Sequence, residues 1–209
     1  MRFDFPLDPD RLPDLDSLAW EKQQGLLPVI VQEAETRRVL MLGYMNREAL
    51  QATLSSGFAT FHSRSRARLW RKGETSGNGL RVVSLQADCD ADALLLQALP
   101  EGPTCHLGRP SCFAEAPRDF LSELDRVVAE RERERPAGSY STSLFEAGLR
   151  RIAQKVGEEG VETALAAIAQ DDEALLGESA DLLYHLTVLL RARGLSIQEA
   201  VKALESRHR

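Results

Sequence analysis

The apolar residues of this chain change their period once, and that change constrains the fold more than any other feature. From Leu27 to Ser84 they come in short runs rich in Val, Leu and aromatics, broken by turn residues. From Phe120 onward they return every three or four positions. A period near two makes strands and one near 3.6 makes amphipathic helices, so two different kinds of core must be built in sequence. Pro28–Gln32, Val39–Tyr44, Ala59–Ser63, Leu69–Lys72 and Leu80–Gln86 read as strands, with Glu35–Arg37 as a turn. Asn46 is placed to cap a short helix whose apolar side is Ala49, Leu50 and Leu54. Phe120, Leu121, Leu124, Val127 and Val128 open the helical half, which Pro136–Ser139 interrupts. Ser143–Ile168, Glu173–Arg193 and Ile197–Leu204 give three further helices, with Gly194 at a C-cap. The expectation is an α+β domain over residues 1–114 and an all-α domain over residues 115–209.

Charge and hydropathy narrow the function. The 209 residues carry 26 basic and 32 acidic side chains, a net charge of −6, which disfavours a nucleic-acid scaffold. Apolar stretches are only a few residues long, so no membrane span is expected. Met1–Pro6 lacks the basic and apolar pattern of a secretory signal, and a cytoplasmic protein is expected. One basic patch stands out: Arg64, Arg66, Arg68, Arg71 and Lys72. A solvated basic strand would explain it. The loop that follows, Gly73-Glu74-Thr75-Ser76-Gly77-Asn78-Gly79, favours a small anionic ligand instead. Its glycines expose backbone N–H groups, and the hydroxyls of Thr75 and Ser76 donate to phosphate oxygens.

All three cysteines, Cys89, Cys105 and Cys112, fall within 24 residues. An odd count without an export signal disfavours disulfides. Free thiols are commonly just packing residues. Cys105, however, is followed by His106 inside a Gly/Pro-rich loop, where side chains are exposed. Three thiolates leave one position open on a tetrahedral zinc, as in catalytic sites. Around Cys89 the chain reads Asp88-Cys89-Asp90-Ala91-Asp92. Extended backbone would put the three aspartates on one face and Cys89 on the other. Three carboxylates gathered together call for a hard cation such as Mg²⁺.

On the helices, Lys155, Glu158, Glu159 and Glu162 share one face at i, i+3, i+4 and i+7. Glu178, Asp181 and His185 share another. A solvated charged face is the plain explanation. A helical hairpin turning at Gln170–Asp172 would, however, bring both carboxylate pairs to the same height, about 10–18 Å from the turn at roughly 1.5 Å per residue. Mg²⁺ bridging a polyphosphate suits four carboxylates so placed.

Together, Met41–Asn46, Ser63–Arg66, Leu69–Asn78, Asp88–Leu95, Cys105-His106 and Ser111–Phe113 resemble phosphoribosyl-AMP cyclohydrolase of histidine biosynthesis, over about residues 20–113. Ser139–Phe145, Lys155–Glu162 and Glu178–Leu186 resemble phosphoribosyl-ATP pyrophosphohydrolase, over about residues 118–207. The two families occur fused in this order. The resemblance implies Zn²⁺ on Cys89, Cys105 and Cys112, in a β-rich intertwined homodimer that builds the zinc site from both chains. It implies Mg²⁺ on Asp88, Asp90 and Asp92, and again on Glu158, Glu159, Glu162, Glu178 and Asp181. His106, Glu159 and Glu162 are then the expected catalytic groups. Arg64, Ser65, Lys72, Thr75, Ser76, Gly77 and Lys155 are expected to hold small nucleotide substrates. Gly43 and His62 depart from the family's usual alanine and large aromatic. Rival readings are a zinc-dependent nucleic-acid module, a structural helical dimeriser fused to an inactive enzyme, and a general nucleotide pyrophosphatase fused to a deaminase-like domain.

Overall fold

The computed structural model describes residues 14–208, so the reading of Met1–Pro6 lies outside the described residues. The chain forms two compact units, Met1–Asp119 and Phe120–Arg209.

The first unit contains β1 (Leu27–Glu33), β2 (Val39–Met45), α1 (Arg47–Ser56), β3 (Thr60–Ser63), β4 (Arg68–Arg71), β5 (Leu80–Ala87) and β6 (Leu94–Pro100). Four strands make one sheet in the order β2-β1-β6-β5, and β3 and β4 make a separate hairpin. The β1–β6 pairing is parallel, whereas β1–β2 and β5–β6 are antiparallel. Leu27, Val29 and Val31 alternate into the core that also takes Ala49 and Leu50 of α1, as period two requires. β6 is a strand that residue pattern alone does not announce. It lies inside the sheet, and both of its faces carry apolar residues, which hides the alternation. Asn46 caps α1 as its sequence position suggests, its Oδ1 accepting the Ala49 N–H at 2.8 Å. Gly43 has a steric reason to be glycine: a Cβ there would lie 2.4 Å from Phe61 Cδ1. The Phe61 ring therefore rests directly on the β2 backbone, with Trp70 5.2 Å away, centroid to centroid.

The second unit contains α2 (Phe120–Glu134), α3 (Tyr140–Ala147), α4 (Leu149–Ala169), α5 (Asp172–Ala192) and α6 (Ile197–Glu205). Ser143–Ile168 is not one helix. Gly148, at φ 84° and ψ 173°, breaks it into α3 and α4. The apolar period runs through the break because Leu144 and Ile152 enter the same core, with Val128 and Val188. Asp171 ends the α4–α5 turn and caps α5, accepting the Ala174 N–H at 3.0 Å. Gly194 closes α5 at φ 73°, donating its N–H to the Arg191 carbonyl. Asp125 on α2 accepts from both Nε and Nη2 of Arg191 on α5. Among the described residues no helix is long and apolar enough to cross a membrane.

Candidate functional site

Each unit presents its own cluster of reactive side chains. In the first, a cavity of about 720 Å³ is lined by Lys72, Thr75, Ser76, Cys105, His106 and Cys112, with Ser63, Arg66 and Arg68 from the β3–β4 hairpin. Backbone bonds fix the thiols. The Cys105 N–H donates to Arg109 O at 3.0 Å, and the Cys112 N–H donates to Leu40 O at 2.8 Å. Cys105 Sγ accepts the Leu107 N–H at 3.5 Å and lies 4.0 Å from His106 Nδ1. Burial and then the neighbouring Cys105 push the Cys112 thiol up from its ordinary value. Burial pulls the Lys72 ammonium down, opposed by the two sulfurs. Buried Thr104 Oγ1 has no hydrogen-bond partner among the described residues, and Thr104 also lines the cavity. Residue type alone gave no signal for Thr104, Met41 or Trp70 in this wall.

Some expected site residues are outside this lining. Arg64, Ser65 and Gly77 are not among the residues lining this cavity. The Arg64 guanidinium instead sits 3.9 Å from the centre of the Tyr44 ring. Cys89 is also apart from Cys105 and Cys112, exposed in the β5–β6 connection. One described chain thus brings together two of the three thiols.

The Asp88–Asp92 segment is a turn, not the extended strand expected from alternation. Asp88 Oδ1 accepts the N–H groups of Asp92 and Ala93 at 3.0 and 3.1 Å, and Ala91 takes φ 59°. Turning, rather than alternation, gathers the aspartates. One carboxylate oxygen from each of Asp88, Asp90 and Asp92 lies within 4.8 Å of the others. Lys22 Nζ reaches the cluster, 2.6 Å from Asp90 and 3.6 Å from Asp92. Its hydrogen bond holds the Asp90 carboxyl below the usual range.

In the second unit the α4–α5 hairpin brings Glu159, Glu178 and Asp181 together, again within 4.8 Å. Glu159 is only 4% exposed, unusual for a carboxylate without compensation. Lys155 compensates it, with Nζ 2.5 Å from Glu159 Oε1 and 3.1 Å from Glu158 Oε2. Those contacts raise the Lys155 ammonium well above its ordinary value, Glu159 contributing most, and lower the Glu158 carboxyl. Burial and then the charges of Glu162, Glu159 and Asp181 push the Glu178 carboxyl up. Glu162 acts on the cluster through space from one turn beyond Glu159. The surrounding Tyr140, Ser141, Tyr184 and His185 carry no site signal in spacing beyond the i+4 relation of His185 to Asp181.

Comparison with known proteins matches both units. A family model for phosphoribosyl-AMP cyclohydrolase matches residues 41–114, and one for phosphoribosyl-ATP pyrophosphohydrolase matches residues 121–208. A histidine biosynthesis bifunctional protein HisIE of Xanthomonas axonopodis pv. citri is 71% identical over 194 residues, 93% of this chain and 94% of the relative. The protein of the same name from Escherichia coli is 55% identical over 193 residues, 91% of this chain and 95% of the relative. With both domains matched in order and nearly the whole length shared, the chain belongs to the bifunctional histidine-biosynthesis family that joins a phosphoribosyl-AMP cyclohydrolase domain to a phosphoribosyl-ATP pyrophosphohydrolase domain.

Proposed function

We propose that the chain hydrolyses phosphoribosyl-ATP in residues 115–209 and opens the adenine ring of the product in residues 1–114. The first reaction gives phosphoribosyl-AMP and pyrophosphate, and the second adds water across N1–C6. The observation that carries this reading is the coexistence of a thiol–imidazole–ammonium cavity in one unit and a carboxylate cluster around the buried Glu159 in the other. The reading places the enzyme in the cytoplasm with small nucleotide substrates and without nucleic-acid or membrane partners.

The donor sets fit two kinds of metal. Cys105 and Cys112 are soft ligands at one cavity wall, suited to Zn²⁺, and Cys89 of a second copy would complete the set. That makes the working protein a homodimer with a shared zinc site. Asp88, Asp90 and Asp92 offer only oxygen, suited to Mg²⁺, and the Lys22 ammonium at Asp90 marks the place as one that accepts positive charge. Glu159, Glu178 and Asp181 fit a second Mg²⁺ site, with Glu162 acting on it through space and Glu158 linked to it through Lys155. Bound there, these ions supply Lewis acidity and neutralise phosphate charge.

The chain's own residues do the rest. Lys72, Thr75 and Ser76 line the cavity and bind substrate phosphate, and Arg64, Ser65 and Gly77, next in sequence to the lining residues Ser63, Arg66 and Ser76, join them. His106 takes the proton of the attacking water on a ring nitrogen, acting as general base. In the helical unit Lys155 sits charged beside the carboxylates and pairs with the polyphosphate. Glu162 and Glu159 accept hydrogen bonds from the water that attacks the α–β phosphoanhydride, orienting it for displacement.

Independent failure of the two steps tests the assignment. Glu162→Gln or Asp181→Asn should stop pyrophosphate release from phosphoribosyl-ATP while supplied phosphoribosyl-AMP is still opened. Cys112→Ser should do the reverse and accumulate phosphoribosyl-AMP. ATP and dCTP serve as control substrates that a general pyrophosphatase would accept. Loss of both steps in any one folded variant would refute two separate sites.

A further inference from the structure

The buried Glu159 carboxylate has two neighbours at the same oxygen. Lys155 Nζ is 2.5 Å from Oε1, and His185 Nδ1 is 3.7 Å from that atom. His185 is itself buried and engaged at both ring nitrogens. Nδ1 lies 2.9 Å from the carbonyl oxygen of Asp181, and Nε2 lies 3.1 Å from the Tyr140 hydroxyl. A carbonyl can only accept, so the neutral ring carries its proton on Nδ1, and Nε2 accepts from Tyr140. Tyr140 is steadied in turn. Its ring stacks on Tyr184 at 6.1 Å and 24°, and the Tyr184 hydroxyl bonds Ser141 Oγ at 2.7 Å. A continuous set of contacts therefore runs from the start of α3, through His185, to the Asp181 backbone and the Glu159 carboxylate.

We propose that Tyr140 and His185 are positioning residues of the pyrophosphate-releasing site, fixing the spacing between Glu159 on α4 and Asp181 on α5. The inference rests on the proposed Mg²⁺ role of that cluster. His185 is not a ligand in this arrangement, since both of its nitrogens are committed elsewhere. Its bond to the Asp181 carbonyl pins the imidazole against α5, with one edge toward Glu159. Lys155 lies four residues before Glu159 on α4 and holds Oε1 from along that helix. The His185 imidazole meets the same oxygen from α5, with Nδ1 3.7 Å away, so the carboxylate is bounded from both helices. Tyr140 holds the ring in the required orientation from a third helix.

Titrating the full-length protein with MgCl₂ by calorimetry, alongside pyrophosphate release at varied Mg²⁺, tests the proposal. Tyr140→Phe removes one hydroxyl and keeps the ring stack. It should raise both the Mg²⁺ dissociation constant and the half-saturating Mg²⁺ concentration by about three- to tenfold, the range one neutral hydrogen bond supplies. Turnover at saturating Mg²⁺, the thermal midpoint and ring opening of phosphoribosyl-AMP should stay near wild type. His185→Leu should weaken Mg²⁺ more. His185→Asn should recover part of the loss, because its amide nitrogen falls close to the Nδ1 position. Adding Tyr140→Phe to His185→Leu should cost nothing further, since the hydroxyl has lost its acceptor. Wild-type Mg²⁺ titrations in both Tyr140→Phe and His185→Asn would overturn the positioning role if Asp181→Asn still removes the Mg²⁺ dependence of pyrophosphate release. An unchanged titration in Asp181→Asn would overturn the metal reading itself, and the positioning role with it. Should the His185 variants fail to fold, Tyr140→Phe decides alone.

Discussion

Asp125→Ala should destabilise the helical unit by an amount the structure sets. Asp125 is paired with Arg191 through two hydrogen bonds, one of them 2.7 Å from Nε. Side-chain exposure is 6% for Asp125 and 23% for Arg191. Two-point guanidinium–carboxylate pairing is the strong form of the interaction. Deleting the carboxylate strands a mostly buried guanidinium, and breaking such pairs costs about 3–5 kcal/mol. Water reaches Arg191 from its exposed side, which places the loss near the lower end, about 3 kcal/mol. For a unit of this size each kcal/mol moves the midpoint by about 4–8 °C, so the helical transition should fall by about 12–24 °C. Differential scanning calorimetry of the full chain would measure it, with ring opening as the control that the first unit remains folded. Replacing the pair together, Asp125→Leu with Arg191→Met, should recover much of the loss, because no charge is then left buried. A drop in Asp125→Ala smaller than about 4 °C, the effect of one kcal/mol, would refute the reasoning.

Two further outcomes are expected. Cys105→Ser should lower the zinc content of the purified protein, read by elemental analysis; full zinc occupancy with ring opening intact would remove Cys105 from the ligand set. Mg²⁺ stabilisation of the helical unit should grow with pH. The Glu178 carboxyl is raised in the folded state, so its contribution to stability is present in the protonated form below the ordinary carboxylate range and is lost as pH rises through the raised value. A cation removes that loss, so thermal melts with and without Mg²⁺ should diverge on raising pH through this window, and a pH-independent gap would count against the cluster.

What could be read in advance depended on whether a signal was local. Asn46 and Gly194 act within a few residues, and their capping roles follow from position. The hairpin that aligns Glu159 with Glu178 and Asp181 also follows from counting residues on either side of Asp171. Three features escaped. Gly148 splits a helix whose apolar period continues across the break, because α3 and α4 share one core. The aspartates meet through a turn stabilised by Asp88's own side chain, a contact invisible to any alternation rule. Tyr140 reaches His185 across 45 residues, and nothing in the intervening spacing encodes that meeting.

The parallel pairing of β1 with β6 sets an order of events during synthesis. Val29 meets Leu94 and Glu33 meets Ala98, so β1 waits for most of its own unit to be made before its second edge is covered. Until then the β1–β2 hairpin carries a bare apolar edge, the kind of surface that recruits other nascent chains. Such non-local closure is intrinsically slow, whereas the largest helical contact of the second unit, α4 on α5, joins neighbours in sequence. The slower unit is also the one that leaves the ribosome first. Translation of the helices thus gives the sheet a head start, an arrangement that the reverse gene order would forfeit.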